Sequence, residues 1–160
     1  MKRIDLLDLP EAMRTLVGEC EVTGNRTAFE RGGRPVALLV SYDEWLALRE
    51  TIAIVNDQRL IAAWRKSEAE IGRGGIVPVF DLPRIRVAKS VTVPEEARAL
   101  LQHIDDDPIA GAPLFDPLKG LWSARDGALR IVYRIDAEAR VILVMIIGQA
   151  EEDALVSSRA

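Results

Sequence analysis

Hydrophobic and polar positions alternate with two different periods along this chain. Near the start, Leu9, Met13, Leu16 and Val17 recur at helical spacing and Pro10 suits a first helical turn. The segment from Lys2 to Glu19 therefore reads as a short extended start followed by a helix. Between Thr27 and Val40 two apolar stretches flank Gly32-Gly33, the pattern of a hairpin whose second strand opens at Pro35. Ser41-Tyr42-Asp43-Glu44 has the spacing of a capping box. An apolar-periodic run follows it: Trp45, Leu48, Ile52 and Val55, then Leu60, Ile61 and Trp64. The break at Asn56-Asp57 predicts two helices or one kinked helix, ending at Gly72-Arg73-Gly74-Gly75.

Residues 76–84 hold Pro78 and Pro83 with little periodicity, and are expected to be a linker. Beyond them, residues 85–93 alternate like a strand. Pro94-Glu95-Glu96 opens a helix whose apolar face is Ala97, Leu100, Leu101 and Ile104, and Asp105-Asp106-Asp107-Pro108 stops it. Three strands are expected near 120–125, 129–135 and 140–147, joined at Asp126-Gly127 and Asp136-Ala137-Glu138. A helix followed by an antiparallel meander makes the second half α+β.

Composition narrows the function. The chain has 160 residues, 49% hydrophobic and 29% charged, which is globular rather than disordered. One cysteine, Cys20, excludes an internal disulfide framework and a cysteine-cluster metal site. One histidine, His103, argues against a His-ligated zinc or a Ser-His-Asp triad, and no metal or cofactor is expected. The longest apolar run, Val141 to Ile147, falls short of the ~20 residues a bilayer span needs. Met1-Lys2-Arg3-Ile4-Asp5 leads into no signal-like apolar core, so a cytoplasmic protein without membrane partners is expected. Residues 1–75 carry 11 Lys and Arg against 12 Asp and Glu, and residues 76–160 carry 10 against 13. Neither half is a polycation, so any nucleic-acid contact must come from a local cluster.

Phe29-Glu30-Arg31-Gly32-Gly33-Arg34-Pro35-Val36-Ala37-Leu38-Leu39-Val40-Ser41, with Asp43-Glu44-Trp45 after it, resembles the Phd/YefM antitoxin family. The resemblance covers roughly residues 1–75. It implies an N-terminal dimer that binds operator DNA, with Arg31 at the matching turn and Arg14 near the family's helix arginine. Arg3, Arg26 and Arg34 are candidates for phosphate contacts, which fix register while base-edge contacts specify sequence. Residues 57–75 would form an amphipathic tail packed on a toxin-like partner.

Residues 85–160 resemble RelE/ParE-superfamily toxins, through Pro94 to Pro108, Leu118-Lys119-Gly120-Leu121-Trp122, and Arg125-Asp126-Gly127-Ala128-Leu129-Arg130-Ile131-Val132-Tyr133. RelE-type members of that group cut mRNA in the ribosome, relying on several Arg or Lys and a C-terminal Tyr. The resemblance makes Arg125 and Arg130 the candidate catalytic residues. Ser123 stands where the group often has a basic residue. Gly148-Gln149-Ala150 lacks the group's late arginine, and the terminal tyrosine is replaced near Val156.

The chain thus reads as an antitoxin-like half (1–75), a linker (76–84) and a toxin-like half (85–160). The first expectation is a DNA-binding autoregulator, homodimeric, with a neutralised or inactive RelE-like domain and antitoxin–toxin pairing within or between chains. The alternative is a self-inhibited endoribonuclease freed by loss of the antitoxin half. A third is a fused remnant that buffers a separately encoded free toxin or antitoxin.

Overall fold

The computed structural model describes residues 2–150. It is α+β, with one two-stranded and one six-stranded sheet. The chain divides into two compact units, Met1–Leu46 and Ala47–Ala160.

In the first unit a 3-10 turn at Leu6–Asp8 leads to α1 (Glu11–Thr23), which Gly24 closes in the left-handed conformation. Strands β1 (Thr27–Arg31) and β2 (Arg34–Leu39) pair antiparallel. Gly32 and Gly33 both have positive φ, as a two-residue turn matched to strand twist requires. Pro35 lies opposite Glu30, beside a register shift. At the start of α2 (Tyr42–Asn56) the Glu44 N–H donates to Ser41 Oγ (3.1 Å), as the capping-box spacing predicts. Arg26 pairs with Glu44. Cys20 is the one buried residue described in this unit.

The division between units falls within α2. Its later turns, with α3 (Gln58–Gly72), belong to the second unit. Asp57 separates the helices and caps α3, accepting from the Arg59 and Leu60 N–H groups. These contacts hold its carboxyl below the usual range.

The stretch 76–84 is not a linker. It forms most of a hairpin, β3 (Ile76–Val79) and β4 (Leu82–Ala88), turning at Phe80-Asp81 with Asp81 at positive φ. The prolines misled because Pro78 lies on β3, an edge strand, and Pro83 lies at the start of β4, before its pairing with β8 begins at Ile85. After a 3-10 turn at Glu95–Ala97 comes α4 (Arg98–Asp106), burying the expected Ala97, Leu100, Leu101 and Ile104. Strands β5 (Ala112–Pro113), β6 (Leu121–Asp126), β7 (Leu129–Asp136) and β8 (Val141–Gln149) complete the sheet, in the order β3-β4-β8-β7-β6-β5. The meander β6-β7-β8 is antiparallel as predicted, while β4 joins β8 in parallel.

Alternating residues serve opposite faces of this sheet. Ile131, Tyr133, Ile142 and Val144 pack with the apolar face of α4. Val132, Met145 and Ile146 pack with Ile54 and Leu60 from the two helices on the other side. Consecutive Met145 and Ile146 share a face because the β7–β8 register shifts there, leaving Met145 without a cross-strand partner. The Ser67 hydroxyl of α3 donates to the Met145 carbonyl (2.7 Å), so the bulge also anchors the helix. The expected burial of apolar residues from 57–75 is present: Leu60 is buried, and Ile61, Trp64 and Ile71 pack around it.

Candidate functional site

Arg125 and Arg130 are partners directly across the β6–β7 hairpin. Like charges in that position repel. The carboxylate of Glu50, reaching in from α2, answers both. Arg130 Nε donates to Glu50 Oε1 (2.6 Å) and its second guanidinium nitrogen donates to Oε2 (3.1 Å), a bidentate fork. Arg125 reaches Oε2 at 3.4 Å, and the Ser123 hydroxyl donates to Oε1 at 2.6 Å. The constellation is internal: Glu50 is 5% exposed and Arg130 4%. Opposite Arg130 on β8 stands Gly148, which places no side chain there.

Helix α2 is turned to make this contact. Its buried stripe is Ala47, Glu50, Thr51 and Ile54, at i, i+3, i+4 and i+7. Thr51 Oγ1 donates to the Ala47 carbonyl (2.8 Å) and accepts from the Phe115 N–H (3.0 Å). The stripe suggested by hydrophobicity is the wrong one beyond Trp45. Leu48, Ile52 and Val55 are 46%, 50% and 37% exposed. The helix instead buries Ala47, Thr51 and Ile54 together with Glu50, which satisfies two opposed arginines that would be costly to leave unpaired. Glu50 was missed for that reason. Its signal was a lone acid between small and β-branched positions, in a chain with two arginines flanking a Gly turn.

The neighbouring core explains two other residues. Tyr133 is fully buried and donates to the Pro108 carbonyl (2.7 Å), a packing role, and burial pushes its phenol up to about 12. Gly111 lies so close that a Cβ there would stand 2.5 Å from the Tyr133 hydroxyl and 2.9 Å from the Ser123 carbonyl. His103 and Lys119 are exposed.

The candidate DNA-binding residues lie in the first unit. Arg31 and Arg34 are cross-strand partners flanking Gly32-Gly33, both exposed and without an ion pair among the described residues. Arg14 is exposed on α1, Arg3 is exposed before it, and Arg26 is engaged by Glu44. Val156, where the toxin-group tyrosine is replaced, lies outside the described residues. Among the described residues no cluster of His, Cys, Asp and Glu could hold a metal, and no helix is long and apolar enough to cross a membrane.

No protein-family model and no curated relative matches the chain. A solved structure that is similar is a crystal structure of the toxin–antitoxin complex RelBE2 from Mycobacterium tuberculosis. The matched chain is 25% identical, over 41% of this chain and 95% of that one, with a TM-score of 0.36. At that TM-score the likeness assigns neither fold nor activity to this chain.

Proposed function

We propose that this protein is a fused toxin–antitoxin-type regulator, in which an antitoxin-like half binds operator DNA as a homodimer and neutralises a RelE-like half. The observation that carries this reading is Glu50. It follows the Phd/YefM-like strand-turn-strand and occupies the two arginines of the RelE-like motif through three donor contacts, with a fourth from the Ser123 hydroxyl. On this reading the antitoxin-like and toxin-like segments of the sequence pair within one chain. Opposed Arg31 and Arg34 on an exposed Gly-Gly turn support the DNA contact, since an anionic partner relieves their repulsion. Arg14, Arg26 and Arg3 are assigned supporting phosphate contacts, and the location is cytoplasmic.

Binding of the purified protein to DNA from upstream of its own gene, over a salt series, tests the reading. Specific binding should weaken as log affinity falls with log salt, and Arg31→Ala should lower affinity and reduce the slope by about one. Affinity no better than for random DNA would reject the autoregulator. A second reading is favoured by the intact Arg125–Arg130 pair: a self-inhibited endoribonuclease. It requires Glu50→Ala to arrest growth when the wild-type chain does not. Continued growth with folded Glu50→Ala protein present would eliminate it.

A further inference from the structure

We propose that the outer face of α3 contacts the phosphate backbone of duplex DNA, independently of base sequence. This rests on the reading of the protein as DNA-binding and adds a surface carried by the second unit, not by the β1–β2 turn. Helix α3 turns Leu60 and Ser67 inward, with Ile61, Trp64 and Ile71 packed beside Leu60. Every charged residue exposed on the helix and its C-terminal cap is a cation: Arg59, Arg65, Lys66 and Arg73. Exposed Lys89 joins them, its N–H donating to the Gly75 carbonyl (3.1 Å) just past the helix end. The two acids of the helix are half-buried and engaged. Glu68 accepts from Arg134 (2.8 Å), and Glu70 accepts from the Ser90 N–H (2.9 Å). That N–H, with Lys66 and Arg73 nearby, holds the Glu70 carboxyl below its usual range. Asp57, the cap of α3, lies 3.4 Å from Arg59. Five cations thus stand against two neighbouring acids, Asp57 and Glu70, in a chain whose net charge is −4.

Arg59, Lys66 and Arg73 recur every seven residues, two helical turns, and form a row with steps of about 10 Å along the axis. Exposed Ala62 and Ala69 fall between them and let a partner come close to the helix. An ordinary solvated helix face interleaves both signs and gains from pairs one turn apart. A membrane-surface helix sets large apolar side chains beside its cations, and this face has alanine instead. A straight row of one sign matches a rod-like polyanion, and B-DNA carries one charge per ~1.7 Å of its axis. Contacts of this kind set affinity and register and carry no base information.

The test is binding of the full-length protein to a duplex of random sequence over a salt series, for wild type, Lys66→Gln/Arg73→Gln and Arg98→Gln/Lys119→Gln. The last variant removes the same charge from exposed or half-exposed positions off α3. The α3 variant should make log affinity fall less steeply with log salt, by about two in slope, while the control keeps the wild-type slope. An unchanged slope in the α3 variant would overturn the proposal, as would an equal fall in the control. No binding of the duplex by wild type at low salt, or tighter binding of phosphatidylserine vesicles than of the duplex, would also overturn it. Should the double variant fail to fold, Arg65→Gln is judged by the same criteria, with a slope change of about one. The ratio of operator to random affinity reads the autoregulator separately. A ratio of one with the slope change retained would remove only the autoregulator, and a high ratio with no slope change would remove only the α3 contact.

Discussion

Two hairpins of this molecule each set one arginine directly across from another beside a glycine turn, and treat the pair in opposite ways. On β6–β7, Arg125 and Arg130 face a carboxylate from their own chain and Arg130 is buried. On β1–β2, Arg31 and Arg34 stay in water with no acid on them among the described residues. The difference follows from what each hairpin is built into. The first lies inside a six-stranded sheet covered by helices, where an unanswered guanidinium would cost several kcal/mol. The second lies in a two-stranded sheet whose residues are mostly exposed, and a pair of strands by itself is marginal in water. A closed arginine pair stabilises the fold. An open one leaves its repulsion to the solvent alone.

The comparison is sharpest in hydrogen exchange. Amides of Ile131 and Val144 should report global unfolding, on the order of 5–15 kcal/mol, while those of β1 and β2 exchange orders of magnitude faster. Equal protection would make the two hairpins one cooperative unit and break the contrast. Packing gives the next effect. Gly111→Ala drives a methyl against the Tyr133 hydroxyl and should cost about 1–3 kcal/mol in denaturant unfolding, with no loss meaning the Pro108–Gly111 loop yields freely. Arg34→Gln should be neutral or stabilising by up to about 0.5 kcal/mol, because it removes a repulsion that nothing else offsets. A clear destabilisation there would show Arg34 holding the hairpin together. Smallest is the acid limb of Asp57. Its folded carboxyl titrates below its unfolded value, so its contribution is present above that unfolded value and lost as pH falls through the folded one. Asparagine caps a helix comparably without a charge, so Asp57→Asn should flatten the decline of Tm below about pH 4. Identical pH profiles would remove Asp57 from the acid response.

Much of this was legible in the sequence where one signal dominated. The Gly32-Gly33 turn, the Ser41 cap, the Asp57 break, the α4 face and the β6-β7-β8 meander follow from local chemistry, and the structure has each of them. Residues 76–84 were misread because proline marks linkers but also edge strands and strand starts, the places of Pro78 and Pro83, and only the sheet pairing tells them apart. The rotation of α2 was illegible for a deeper reason. Hydrophobic periodicity ranks Leu48, Ile52 and Val55 above Glu50, and the ranking reverses only once Arg125 and Arg130, 75 and 80 residues away, are in place. Arg125 and Arg130 themselves were singled out from the sequence. Their partner was not, because a long-range ion pair leaves no local pattern.

The central claim is that Glu50 and Arg130 are a coupled internal pair that fixes α2 on the sheet. A double-mutant cycle with Glu50→Gln and Arg130→Met, read by denaturant unfolding, tests it directly. Each single change should cost about 3–5 kcal/mol by stranding the other charge, and the double variant should lose much less than the sum, with a coupling of about 2 kcal/mol or more. Additivity within about 0.5 kcal/mol would mean that neither residue depends on the other, and the account of a plugged arginine site would be contradicted.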